Sequence, residues 1–126
     1  VLSTWDRTNQ AAVVRVPSTG GHRPGATRIE YRAPDPACNP YLASSVILAA
    51  GLTGIENGYK LREDTVAERL PATLAEALDA MESSALVKDA LGEHVFEWFL
   101  KNKRREWQRY EHHVSRFELE QYLPVL

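Results

Sequence analysis

The pair Asn39-Pro40 divides this chain into two kinds of sequence. An asparagine ahead of a proline is a helix start. The Asn side chain can accept an N–H of the first turn, and proline fits the first helical position, where no N–H is needed. Behind it, Leu42 to Leu52 is mostly apolar, and Val46-Ile-Leu-Ala-Ala-Gly-Leu52 offers no polar face. Such a run predicts a helix buried on most sides. Gly58 is expected to end it.

Ahead of Asn39 there is no long helical pattern, but two runs read as strands. Ala11 to Val16 is closed by Pro17 and the cluster Ser18-Thr-Gly-Gly21, and Thr27 to Arg32 is closed by Pro34. Gly20, Gly21, Pro24 and Gly25 lie between them, so the simplest arrangement is a hairpin with a mobile loop. The fold class expected is α+β, as one domain over residues 1–126. A short antiparallel sheet occupies 1–35, and three or four packed helices follow over 36–126.

The helical half carries its own punctuation. Thr73-Leu-Ala-Glu76 is a capping box ahead of Leu74, Ala77, Leu78 and Met81 at helical spacing. Ser83 or Ser84 restarts a short helix that Gly92 ends. From Glu93, the positions Val95, Phe96, Phe99, Leu100, Trp107 and Tyr110 predict a long amphipathic helix with Lys101, Lys103, Arg104, Arg105 and Arg109 opposite. Ser115-Arg-Phe-Glu118 is a second capping box, opening a last turn or two before Leu123-Pro124.

Composition narrows the function classes. The 126 residues hold 15 basic and 17 acidic side chains, a net charge of −2, which gives no electrostatic ground for a nucleic-acid or anionic-membrane partner. No apolar run reaches the roughly 20 residues of a bilayer span. The single cysteine, Cys38, excludes an intrachain disulfide, fits a cytoplasmic location and is expected to be a small buried residue. The first residues, Val1-Leu-Ser-Thr-Trp5, have neither an initiator Met nor a basic leader and open as though in mid-strand. No signal peptide is expected there, and a piece of a longer chain is. His112-His113 is expected to be solvent-exposed or paired with the helix dipole rather than a metal site, because adjacent helical residues point about 100° apart. The basic face from Lys101 to Arg105 is expected to be ion-paired with Glu97, Glu106 and Glu111. The aromatic residues Phe96, Trp98, Phe99 and Trp107 are expected in a core or interface.

The chemistry is concentrated on the second strand. Period-two alternation places Arg28, Glu30 and Arg32 on one face and Ile29 and Tyr31 on the other, with residues two apart about 7 Å from each other. Two guanidinium groups flanking a carboxylate can form a solvated ion-pair ladder. They can equally present a metal-binding carboxylate between two anion-binding forks.

The full string, Arg28-Ile-Glu-Tyr-Arg-Ala-Pro-Asp-Pro-Ala-Cys-Asn-Pro-Tyr-Leu-Ala43, resembles the R-x-E-x-R-x-P-D-x-x-x-N-P-Y-L signature of the glutamine synthetase family. Upstream, Asn9-Gln-Ala-Ala-Val-Val-Arg-Val-Pro17 is similar to the family's N-R-S-A-x-x-R-I-P strand. Downstream, Ala50-Gly-Leu-Thr-Gly-Ile55 is similar to its A-G-L-x-G-I helix. Leu70 to Leu78, Leu91-Gly-Glu-His94, Lys103-Arg-Arg-Glu-Trp107 and Glu120-Gln-Tyr-Leu123 extend the likeness over nearly the whole chain.

The resemblance implies the C-terminal part of the catalytic domain of an ATP-dependent carboxylate–amine ligase. Glutamate and ammonia would be its substrates, Mg²⁺ or Mn²⁺ its metal, and γ-glutamyl phosphate its intermediate. It implies that Glu30 is a metal ligand, that Arg32 binds the glutamate carboxylate, and that Arg15 and Arg28 lie on the nucleotide phosphates. It further implies a homo-oligomer, usually a dodecamer, whose sites lie between subunits. The 126 residues alone are therefore expected to show no turnover.

Two positions depart from the family pattern. Gln10 stands where the family has an Arg reaching the transferred phosphoryl group, and it can donate a hydrogen bond but brings no charge; Arg7 compensates only if the backbone bends toward the site. Gly25 stands where a basic residue is common. These changes suit a ligase for a polyamine or another amine, or a member with reduced activity. A non-catalytic regulatory or structural relative is the remaining alternative. The stretch from Ile55 to Leu70 lacks the tyrosine loop on which some bacterial members are adenylylated, and Tyr59 is not assigned that role.

Overall fold

A computed structural model describes residues 4–18, 24–60 and 68–125. The chain divides into two compact units, Val1–Ala72 and Thr73–Leu126.

The first unit carries a three-stranded sheet in the order β1-β2-β3, with β1 at Trp5–Asp6, β2 at Val14–Arg15 and β3 at Glu30–Tyr31. The expected antiparallel pairing holds for β2 and β3, where Val14 faces Tyr31 and Arg15 faces Glu30. The sheet as a whole is mixed, because β1 lies parallel to β2 with Trp5 opposite Val14 and Asp6 opposite Arg15. The chain makes that return by a tight turn. Oδ1 of Asp6 accepts the backbone N–H groups of Thr8 at 2.7 Å and Asn9 at 2.9 Å, and Oδ1 of Asn9 accepts that of Ala11 at 2.8 Å. Side-chain carbonyls that imitate a backbone acceptor in this way are the usual use of Asp and Asn in turns. The turn tucks Ala12 and Val13 inward, and these are the buried apolar residues of the unit among those described. The strands are shorter than the runs that predict them. Part of the loop read as mobile, residues 19–23, lies outside the described residues, as does most of the polar stretch at 61–67.

Helix α1 runs Pro40–Glu56. Asn39 caps it as expected, with Oδ1 accepting from Tyr41 N at 3.0 Å and Leu42 N at 3.3 Å. Its end is a Schellman motif. Gly58 sits at φ 61°, its N–H donates to Ile55 O at 3.1 Å, and Tyr59 N donates to Gly54 O at 2.9 Å. One expectation fails here: α1 buries none of its residues, and Leu48 is 63% and Ile55 77% exposed. Its sequence demands burial, but a demand does not supply a partner surface. Cys38 also departs from expectation. It is exposed, held in a turn where its N–H donates to Asp35 O at 2.9 Å.

The second unit is built from α2 at Leu74–Glu82, α3 at Ala85–Leu91, α4 at Glu93–Glu111 and the two-turn α5 at Arg116–Tyr122. The expected three or four helices are therefore four with α1, plus this closing one. Thr73, Ser84 and Ser115 are the N-caps, and Ser115 with Glu118 forms a complete capping box. Gly92, at φ 72° and ψ 153°, ends α3 and opens α4, a conformation open in practice only to glycine. Leu78, Phe96 and Leu100 form the core, with Leu74, Met81, Val87 and Leu91 packed on it. The core is narrower than the apolar stripe of α4 predicts, since Val95 is 37% and Tyr110 68% exposed. Arg104 leaves the expected helix-face pairing and reaches α2, donating to Asp79 at 2.9 Å and also to Glu82. Those two carboxylates, Asp79 first, hold its pKa above the ordinary guanidinium value.

Candidate functional site

The sequence gathers its charges in and beside β3, and the register of the sheet decides which of them meet. Antiparallel partners directly opposite one another have Cβ atoms about 5 Å apart. Pairing Arg15 with Glu30 therefore brings a second strand's guanidinium onto the carboxylate. Arg15 Nη1 donates to Glu30 Oε2 at 3.1 Å. From two residues ahead of β3, Arg28 donates to the other oxygen, Oε1, through Nε at 3.1 Å and Nη2 at 2.7 Å. Glu30 thus lies between two arginines with its side chain 29% exposed, beside Arg15 at 30% and Arg28 at 55%. The Arg28 fork, aided by the charges of Arg15 and Arg28, holds the Glu30 carboxyl below the ordinary glutamate range.

The expected ladder of Arg28, Glu30 and Arg32 is accordingly rearranged. Arg32 is not bonded to Glu30; its Nη1 donates to the backbone carbonyl of Gln10, and its own N–H donates to Val13 O at 2.8 Å. That contact ties β3 to the loop opened by Asp6. The Gln10 side chain is exposed on the same loop, as is Arg7. The structure therefore brings Arg15, Arg28 and Glu30 together, and joins Arg32 to Gln10 through the backbone.

Two features escaped the sequence reading. The Arg15–Glu30 contact spans 15 positions and depends on register, for which only the hairpin pattern was a signal. The Asp6 turn had a clearer one, an Asp followed by Thr8 and Asn9. Its carboxyl is held below the ordinary range by the backbone N–H groups of Asn9 and then Thr8.

Chemically, Arg15 and Arg28 offer forks that match phosphate or carboxylate, and Glu30 is a hard oxygen donor suited to Mg²⁺ or Mn²⁺. No group of three or more His, Cys, Asp or Glu gathers to hold a metal among the described residues. Glu30 therefore fits a divalent cation as one ligand of a set. The tandem His112-His113 is exposed, with His112 Nδ1 on Gln108 O at 2.6 Å.

The fold is a small mixed sheet followed by capped helices, with a carboxylate bracketed by two arginines at the β2–β3 pairing. Residues 1–122 match the family model described as glutamine synthetase, catalytic domain. The chain belongs to that family. It is similar to the glutamine synthetase of Mycolicibacterium smegmatis, at 48% identity over 138 residues covering 98% of this chain and 31% of the relative. The glutamine synthetase of Methanosarcina mazei is 43% identical over 141 residues, covering 100% of this chain and 31% of the relative. A solved structure described as apo GmaS without ligand superposes with a TM-score of 0.78 at 35% identity, covering 97% of this chain and 30% of that one. The chain thus spans about a third of the length of these relatives.

Proposed function

We propose that these residues serve, within a longer polypeptide, an ATP-dependent ligase that joins glutamate to ammonia, a reading supported by curated relatives named glutamine synthetase. The observation that carries the reading is the bracketing of Glu30 by Arg28 and Arg15 in a chain of this family. Arg15 and Arg28 bind the phosphate oxygens of ATP, Arg32 orients the substrate carboxylate, and Gln10 donates a hydrogen bond beside it. Glu30 holds one position on Mg²⁺ or Mn²⁺, which when bound neutralises phosphate charge. The γ-phosphoryl group of ATP passes to the side-chain carboxylate of glutamate, and ammonia displaces it as phosphate. The two forks supply positioning and charge neutralisation, the main requirements of phosphoryl transfer.

The test is phosphate release by the full-length protein with ATP, glutamate, Mn²⁺ and ammonia. Glu30→Gln is expected to lower kcat/KM on the order of a hundredfold or more. Full activity in that variant would remove Glu30 from the site. The uncharged Gln10 supports a second reading, a ligase for a polyamine or another amine. A panel of amines decides between the two by which gives the higher kcat/KM. A protein that binds neither ATP nor Mn²⁺ by calorimetry is instead a non-catalytic relative. A cytoplasmic homo-oligomer completes the proposal, with sedimentation to check a dodecamer. Among the described residues, no helix is long and apolar enough to cross a membrane.

A further inference from the structure

Glu30 has little room for a cation as it stands. A carboxylate offers about four lone-pair positions, two on each oxygen. Arg28 fills both on Oε1, through Nε and Nη2, and Arg15 takes one on Oε2. A divalent ion at the remaining position would lie about 2.1 Å from Oε2, beside an Arg15 Nη1 that is itself 3.1 Å from that oxygen. Like charges so close repel strongly in a half-buried site. Oε1, away from Arg15, is the better place for the ion, and that oxygen opens only if Arg28 leaves.

Arg28 is the one placed to go. It is 55% exposed against 30% for Arg15, and its other contact is a long one, Nη1 to Ala26 O at 3.4 Å. Arg15 is set into the central strand, with its Nε buried.

We infer that Glu30 is a point of exchange, at which an arriving divalent cation displaces Arg28 and so frees a guanidinium fork for an anion. The inference rests on the reading of Glu30 as a metal ligand. Metal and anion binding are then linked through Arg28, and the linkage is reciprocal.

The experiment is a Mn²⁺ titration of the full-length protein by electron paramagnetic resonance, with and without inorganic phosphate. In the wild type, saturating phosphate is expected to tighten Mn²⁺ by about fivefold or more. Arg28→Gln removes the competitor, so Mn²⁺ alone tightens by a similar factor and the effect of phosphate shrinks. A general loss of positive charge would also tighten Mn²⁺, but at every site. The exchange acts only through Glu30, so the tightening must vanish when Arg28→Gln is made in a Glu30→Gln background. Unchanged or weaker Mn²⁺ binding in Arg28→Gln overturns the inference, as does tightening that persists in the double variant. Loss of one Mn²⁺ site in Glu30→Gln with no tightening in Arg28→Gln overturns the exchange while leaving the ligand reading intact. If Glu30→Gln binds Mn²⁺ as the wild type does, the ligand reading falls and the exchange falls with it. Arg28→Lys, which keeps the charge and loses the fork, is expected to give an intermediate affinity.

Discussion

The two units place their apolar residues in opposite ways. In the second, α4 alternates an apolar with a charged face, and Phe96 and Leu100 meet Leu78 within the unit. In the first, α1 is apolar all round and buries none of its residues, while the turn ahead of β2 buries only Ala12 and Val13 among those described. The unit with its own core carries no candidate chemistry, and the unit with the charged site has an unmet demand for burial. Amphipathicity marks a helix whose partners are close in the sequence. Uniform apolarity marks one that needs more surface than its neighbours provide.

The largest test of this contrast is Leu78→Ala. In the 126-residue polypeptide it is expected to cost about 3 kcal/mol by chemical denaturation, because it opens a cavity in the only cluster of buried side chains the second unit has among its described residues. A cost below about 1 kcal/mol would mean that this unit is not held by that core. Asn39→Ala, which removes the cap of α1, should cost about 1 kcal/mol, with Asn39→Asp largely restoring it. Leu48→Gln probes the exposed face of α1. It should change the stability of the 126-residue polypeptide by less than about 0.5 kcal/mol and reduce its binding of an apolar dye. A large loss of stability would show that α1 is packed after all.

The smallest effect is that of acid, and it reaches both units. Glu118 is held below the ordinary glutamate range chiefly by the backbone N–H of Ser115, and Asp6 below the ordinary aspartate range by those of Asn9 and Thr8. A depressed carboxylate stabilises the fold fully above its unfolded-state pKa, and that contribution is lost as pH falls through the lower folded-state value. Amide protection at Ser115, Thr8 and Asn9, corrected for the intrinsic pH dependence of exchange, should therefore fall only on the acid side of the ordinary carboxylate range. Loss of that protection at neutral pH would contradict the assignment. Ser115→Ala should remove part of the protection at α5 while leaving Thr8 and Asn9 unchanged.

What was legible in the sequence follows the range of the interactions. Asn39, Gly58, Thr73, Ser84 and Ser115 act on groups two to four residues away, so their roles could be read in place, and each cap forms where expected. A strand is expected at the opening of the chain, but its parallel pairing depends on the turn at Asp6, and Arg15 reaches Glu30 only across the β2–β3 register, so neither pairing can be read in place. The burial of Cys38 was inferred from a habit of its residue type, and the turn after Asp35 overrides it. Arg28 and Glu30, two apart in the sequence, meet as alternation suggests, whereas Arg32 turns to Gln10.

Two residues in a strand provide few backbone bonds with which to choose an alignment, and a slip by one would turn every side chain to the opposite face. With Arg15 opposite Glu30, opposite charges are satisfied; one step away, Glu30 would trade its guanidinium for Val14 or Val16. The Arg15–Glu30 pair therefore works as a clasp for the β2–β3 alignment. A chain that closes it has verified its alignment with the same residues proposed to handle ATP, so misalignment and loss of the site are one error.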